Sequence, residues 1–192
     1  MRKIIIVGFI FILAGCKSRK ITGDSSEKFI IENLAAVTEA GNLEEVYPDA
    51  LITQGTDLMQ EGNVERPFSV IFPETDKEIL ITWEDRSRTE VYRIMVSKKG
   101  PWRTETGIEV GTPYDKLVEI NGRSISVYGF GWDYSGAVTW NGGKLQNSNI
   151  RVFLAPKGTA PNKFYGDSII EPTEEEIDSL ALTVHTIIYQ RE

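Results

Sequence analysis

The sequence predicts an α+β protein of two tandem similar halves, each a helix packed on a roughly four-stranded antiparallel sheet. Three observations lead there. A stretch with helical spacing is followed by several strand-like runs, and this order occurs twice along the chain. The second occurrence lies at a constant offset of 74 residues, which sets Leu43–Pro48 over Leu117–Gly122 and Leu51-Ile52-Thr53 over Ile125-Ser126-Val127. A hydrophobic fraction of 41 %, with 10 % aromatics, is enough to build a packed core.

In chain order, the first element is a secretion signal. Arg2 and Lys3 precede an apolar run, Ile4 to Leu13, that falls short of the ~20 residues needed to span a bilayer. It ends in Leu13-Ala14-Gly15-Cys16, which resembles the lipobox of bacterial lipoproteins. Small residues expose the backbone to a signal peptidase, and the Cys16 thiol can carry a thioether-linked diacylglycerol. The resemblance implies a signal peptide over 1–15, lipidation of Cys16 and attachment to a membrane of the cell envelope, the outer membrane foremost. Two or more acyl chains make such an anchor stable. Residues 16–27 then form a polar tether, whose Lys17, Arg19 and Lys20 can meet anionic headgroups.

Cys16 is the only cysteine, so a mature chain has no thiol for a disulfide, a metal site or a nucleophile. Loss of Arg2 and Lys3 leaves 19 basic residues against 28 acidic ones. That balance argues against nucleic acid, whose binding requires clustered Lys and Arg.

The first half, 28–100, opens with helical spacing of Phe29, Ile30, Leu34, Val37, Leu43 and Val46, broken at Ala40-Gly41-Asn42 and stopped by Pro48. Strand-like runs follow at Ala50 to Thr53, Pro67 to Phe72, Glu78 to Glu84 and Thr89 to Ser97, separated by turn clusters. Ile79, Ile81 and Trp83 alternate only loosely in polarity with their neighbours, so at least one sheet face is expected to be covered.

The second half, 101–192, repeats the order after Lys98-Lys99-Gly100-Pro101. A helix is expected over Pro113 to Ile120, ending at Asn121-Gly122. Strands are expected at Ser124 to Tyr128, Ala137 to Trp140, Asn149 to Leu154 and Leu182 to Tyr189.

The stretch Gly107–Gly122, with Gly129-Phe130-Gly131-Trp132-Asp133-Tyr134-Ser135-Gly136 and Gly142-Gly143-Lys144-Leu145, resembles a family of uncharacterised bacterial envelope proteins. The likeness extends upstream through Ile81–Asp85 and Trp102, over about half the chain, and implies no known activity. The doubled helix and meander is similar in layout to the beta-lactamase inhibitor protein fold and to small outer-membrane assembly lipoproteins. That layout implies recognition of another envelope protein through the sheet face and the loop around Trp132.

Candidate binding residues are Trp132, Asp133, Tyr134 and Trp140. Two aromatics and a carboxylate held between glycines can stack a sugar ring or anchor a protein partner. The same segment also reads as a hairpin whose aromatics close the core while Asp133 caps the turn. Trp83, Trp102, Tyr92 and Tyr128 either extend an aromatic face or pack inside. Glu171, Glu174, Glu175, Glu176 and Asp178 lack the spacing of a calcium loop, whereas Thr173 and Glu176 fit a capping box.

His185 is the only histidine, in a strand pattern. Hydrolase and nucleotide motifs are missing, and carboxylate pairs such as Glu84 with Asp85, or Asp115 with Glu119, are the only material for a glycosidase. The expectation is a non-catalytic protein-binding lipoprotein without cofactor or metal. The alternative is a surface lipoprotein that binds or processes glycans.

Overall fold

The helical spacing of the first segment becomes a single buried stripe. A computed structural model describes residues 27–58 and 64–191. Within it α1 spans Ile31–Glu39 and buries Ile31, Leu34, Ala35, Val37 and Thr38. After Glu39 the chain turns at Gly41 (φ 72°), where Gly41 N donates to Thr38 O and Asn42 N to Val37 O. This paired closure uses a left-handed residue that glycine adopts without steric cost. The expected break at 40–42 is therefore a helix terminus, after which a short α2, Leu43–Val46, runs up to Pro48.

Four strands follow as antiparallel neighbours: β1 (Ile52–Leu58), β2 (Glu65–Ile71), β3 (Ile79–Trp83) and β4 (Val91–Val96). Their register fixes which side chains share a face. Ser69, Ile81, Ile94 and Tyr189 form one row across the sheet, and Ile71 faces Ile79. These residues are buried and pack towards α1 and Trp102. Burial of each such aliphatic side chain contributes about 1.5–3 kcal/mol. Ser69 is accommodated on this face because Trp83 Nε1 donates to its hydroxyl at 2.9 Å.

The second set of elements is α3 (Tyr114–Asn121), β5 (Ser126–Tyr128), β6 (Val138–Thr139), β7 (Ile150–Ala155), β8 (Ile169–Ile170), α4 (Glu174–Leu180) and β9 (Thr183–Gln190). Its strands divide between two sheets. β9 inserts between β4 and β7, giving a six-stranded antiparallel sheet in the order β1-β2-β3-β4-β9-β7. β5 pairs with β6 and β8 in a separate three-stranded sheet. The architecture is thus mixed α+β, with one large antiparallel sheet and a few helices. No helix among the described residues is long and apolar enough to cross a membrane.

Candidate binding surface

The small sheet ends in the glycine-rich loop that the sequence singled out, and backbone bonds fasten that loop at both ends. Gly129 N donates to Ser168 O and Phe130 N to Phe164 O, both at 2.9 Å, and Leu154 N donates to Gly136 O at 2.8 Å. Between these clamps Ser135 N donates to Trp132 O, and the Ser135 hydroxyl accepts from Gly131 N. Ser135 is therefore the residue that closes the turn, a role the sequence reading offered to Asp133. The Asp133 carboxylate is exposed and accepts no hydrogen bond among the described residues.

Trp132 and Tyr134 stand together. Trp132 is half-buried, with its indole N–H donating to Gly129 O at 2.9 Å, and Tyr134 is 58 % exposed. Their ring centroids are 5.2 Å apart at an interplanar angle of 60°, and Tyr128 meets Trp132 at 5.9 Å and 63°. Tyr128 is in turn the cross-strand partner of Ile169, an exposed aliphatic residue. The result is an edge-to-face ladder of aromatics with an aliphatic neighbour.

Trp140 is not on this surface. It is 6 % exposed, with Nε1 directed at Ile150 O at 3.4 Å, so the expectation that it joins Trp132 in one binding face is corrected: its ring fills the core beneath β7. Trp83 and Trp102 are core residues too, the latter donating to Lys77 O at 2.8 Å. Cys16 and most of its tether lie outside the described residues.

On its other side the loop borders a cleft. The outer face of the large sheet forms the floor, with Leu80, Met95 and Ile188 in one cross-strand row and Phe68, Thr82 and Arg93 in the next. Phe130, Asp133 and Tyr165 rise at one end, Asp57 and Leu58 at the other, and the cavity measures about 820 Å³. Such a volume lies within the ~300–1,000 Å³ of ligand sites. Asp133 is the sequence-predicted candidate that lines this cleft. Its other lining residues were not among the candidates, although the loose polarity alternation of β3 was their signal: a strand apolar on both faces supplies a core and a second apolar floor.

The electrostatics of the floor are uneven. Arg66 pairs with Glu84 and stacks on Tyr92, its guanidinium carbon 3.9 Å from the ring centroid. Arg93 has no such partner among the described residues. His185 reaches the cleft rim and its Nδ1 sits 2.8 Å from Thr186 Oγ1.

The remaining candidates resolve into local structure. Thr173 and Glu176 form the expected capping box at the start of α4, and Glu176 also pairs with Lys163, the interaction that most lowers its pKa. Glu84 is tied to Arg66, and hydrogen bonds from Ser87 and then Thr89 hold Asp85 below the usual carboxylate range. Glu119 pairs with Lys116 at 2.8 Å within α3. Among the described residues no group of three or more His, Cys, Asp or Glu side chains is arranged to hold a metal ion.

No family model matches the chain, nor does any curated protein. Among solved structures it is similar to the uncharacterized protein yfeY from Escherichia coli, at 19 % identity over 77 % of this chain and 88 % of that one, with a TM-score of 0.47.

Proposed function

We propose that the protein is a lipoprotein of the bacterial envelope, cut before Cys16 and lipidated there, whose non-catalytic role is to hold another envelope protein. The observation that carries the binding reading is the aromatic ladder Tyr128–Trp132–Tyr134. Its rings meet at 60° and 63°, so they offer edges and faces at angles to one another and no flat stack for a pyranose. The half-buried Tyr128 and Trp132 with the exposed Tyr134 and Ile169, rimmed by polar loop residues, have the character of protein interface anchors. The tether between Cys16 and residue 27 holds such a surface close to the membrane.

We also read the chain as two related halves with a beta-lactamase-inhibitor-like layout. The order α1 before β1–β4, and α3 before β5–β7, supports this.

Crosslinking in living cells of the host tests the binding reading. A photoreactive residue beside Trp132 is expected to capture one envelope protein repeatedly, identified by mass spectrometry, and the adduct is lost when Trp132 and Tyr134 become alanine. Recovery of the same species by an unrelated lipoprotein, or capture that survives both substitutions, removes the protein-partner reading and leaves a glycan array as the next test.

A further inference from the structure

We infer that the cleft on the outer face of the large sheet binds an amphiphilic monocarboxylate, with its carboxylate on Arg93 and its apolar tail along Phe68, Leu80, Met95 and Ile188. This goes beyond the protein-partner reading, which uses the opposite side of the loop.

Arg93 stands on β4 directly across from Thr82 on β3 and Gln190 on β9, in the floor of the cleft. Arg93 Nε and Thr82 Oγ1 are both buried, and neither has a hydrogen-bond partner. Arg93 makes no ion pair among the described residues either. The cleft's two aspartates leave it alone: Asp57 accepts from Leu58 N, and Asp133 takes no partner among the described residues. Arg66, on the same floor, is paired with Glu84 and covered by Tyr92, so among the described residues the floor presents one uncompensated guanidinium.

Half-buried guanidinium groups are normally paired, because removal from water without a counter-charge is costly. A carboxylate fits the fork in two parallel hydrogen bonds. The protein as a whole carries a net charge of −7, so an anion is drawn here by this residue and not by the general surface.

The rest of the floor selects the tail. The site is the face of a sheet, whose strands β2, β3, β4 and β9 pair with one another along this floor, so their backbone groups point along the sheet and not into the cleft. A peptide lying there would bury its own N–H and C=O groups against Leu80 and Met95 without partners. An acyl chain has no polar groups to satisfy, and one carboxylate meets the guanidinium that has no ion-pair partner among the described residues of the floor.

The test uses membranes from host cells expressing the full chain and, as probe, dodecanoate bearing a diazirine near its methyl end. Saturable adducts are expected on the floor strands around Phe68, Leu80, Met95 and Ile188. Excess dodecanoate should abolish them, whereas dodecyltrimethylammonium, with the same tail and opposite charge, should not. Arg93→Met is expected to cut labelling at least about tenfold, while Arg93→Lys, which keeps the charge and loses the fork, retains part of it. Protease resistance of each variant reports folding, and if Arg93→Met unfolds, the Lys variant and the two competitors still decide. Adducts scattered over the surface, equal displacement by the cationic competitor, or unchanged labelling of folded Arg93→Met would each overturn the assignment.

Discussion

Gly136 and Leu154 clamp the aromatic loop to the large sheet. Leu154 N donates to Gly136 O at 2.8 Å, and a Cβ placed on Gly136 would lie 1.8 Å from Leu154 O. The same residue has φ 73°, so glycine is required there twice over, by conformation and by close approach. Gly136→Ala is expected to lower stability by about 2–4 kcal/mol, since the β7 backbone must move to admit the methyl group. Urea unfolding measures this, and a midpoint equal to wild type would mean the loop is not held as described.

Asn121 gives a second prediction. It is fully buried at the end of α3, and its side-chain amide donates to Trp140 O at 2.9 Å and Arg123 O at 3.1 Å while accepting from Leu145 N at 3.3 Å. One side chain thus satisfies three backbone groups of two loops. Asn121→Ala strands those groups at about 1–3 kcal/mol for each buried one, and a total loss near 3 kcal/mol is expected. Asn121→Asp should also destabilise, because a carboxylate cannot donate to the two carbonyls. A thermal melt in which either variant matches wild type contradicts the role.

Local elements were legible in the sequence, and their partition between sheets was not. The spacing of Leu34 and Val37 marks α1, although Phe29 and Ile30, read with them, precede the helix, and Asn121-Gly122 marks the end of α3, because helix faces and termini depend on neighbours a few residues away. The insertion of β9 between β4 and β7 depends on a β4–β9 pairing across about half the chain length, which no local spacing reports. β8 is two residues long and has no period to detect. The Gly129–Gly136 loop was legible as a unit, but the buried Trp140 and the half-buried Trp132 look alike in sequence, since both are aromatics flanking glycines. That Arg93 lacks an ion-pair partner among the described residues could not be recognised without the register that puts Glu84 beside Arg66.

That difference in burial leads to a paired prediction for the aromatics. Tyr134 is 58 % exposed, so Tyr134→Ala is expected to change stability by no more than about 0.5 kcal/mol. Trp140→Ala should cost about 3–5 kcal/mol, because it opens a cavity in the core. Chemical denaturation of the two variants side by side distinguishes a surface anchor from a core residue. Equal losses would refute the division of roles drawn for the two positions.

Tyr47 sets a limit at alkaline pH. It is buried against Phe72 and Trp102, its hydroxyl donates to Lys28 O, and burial pushes its phenol pKa well above the ordinary value of 10.0. Above about pH 10 the unfolded chain releases this proton while the folded chain keeps it. The unfolded state then binds fewer protons, so stability is fully present below pH 10 and falls as pH rises towards the folded pKa, by at most about 1.4 kcal/mol per pH unit from this group. Tyr114, raised by burial and then by Asp115, adds to the slope in the same sense. Tyr47→Phe should lower stability at neutral pH by about 1 kcal/mol through the lost hydrogen bond, yet show a shallower decline above pH 10. An unchanged slope in that variant would exclude Tyr47 as its source.

The proposed anchor is the premise on which any envelope role depends, and it is open to a direct chemical test. Cys16 is the only thiol in the chain, so incorporation of labelled palmitate through a hydroxylamine-resistant thioether-linked glyceride can have no other thiol as its source. Cys16→Ser keeps the size of the residue and removes the nucleophile that the lipid transfer requires. It is therefore expected to abolish labelling and to leave an uncut precursor, since the peptidase acts on the lipidated form. Lys17→Ser leaves the thiol in place and should keep both labelling and cleavage. Palmitate label persisting in Cys16→Ser, or a wild-type protein released from membranes by salt alone, would show that the chain is held by something other than lipid on Cys16.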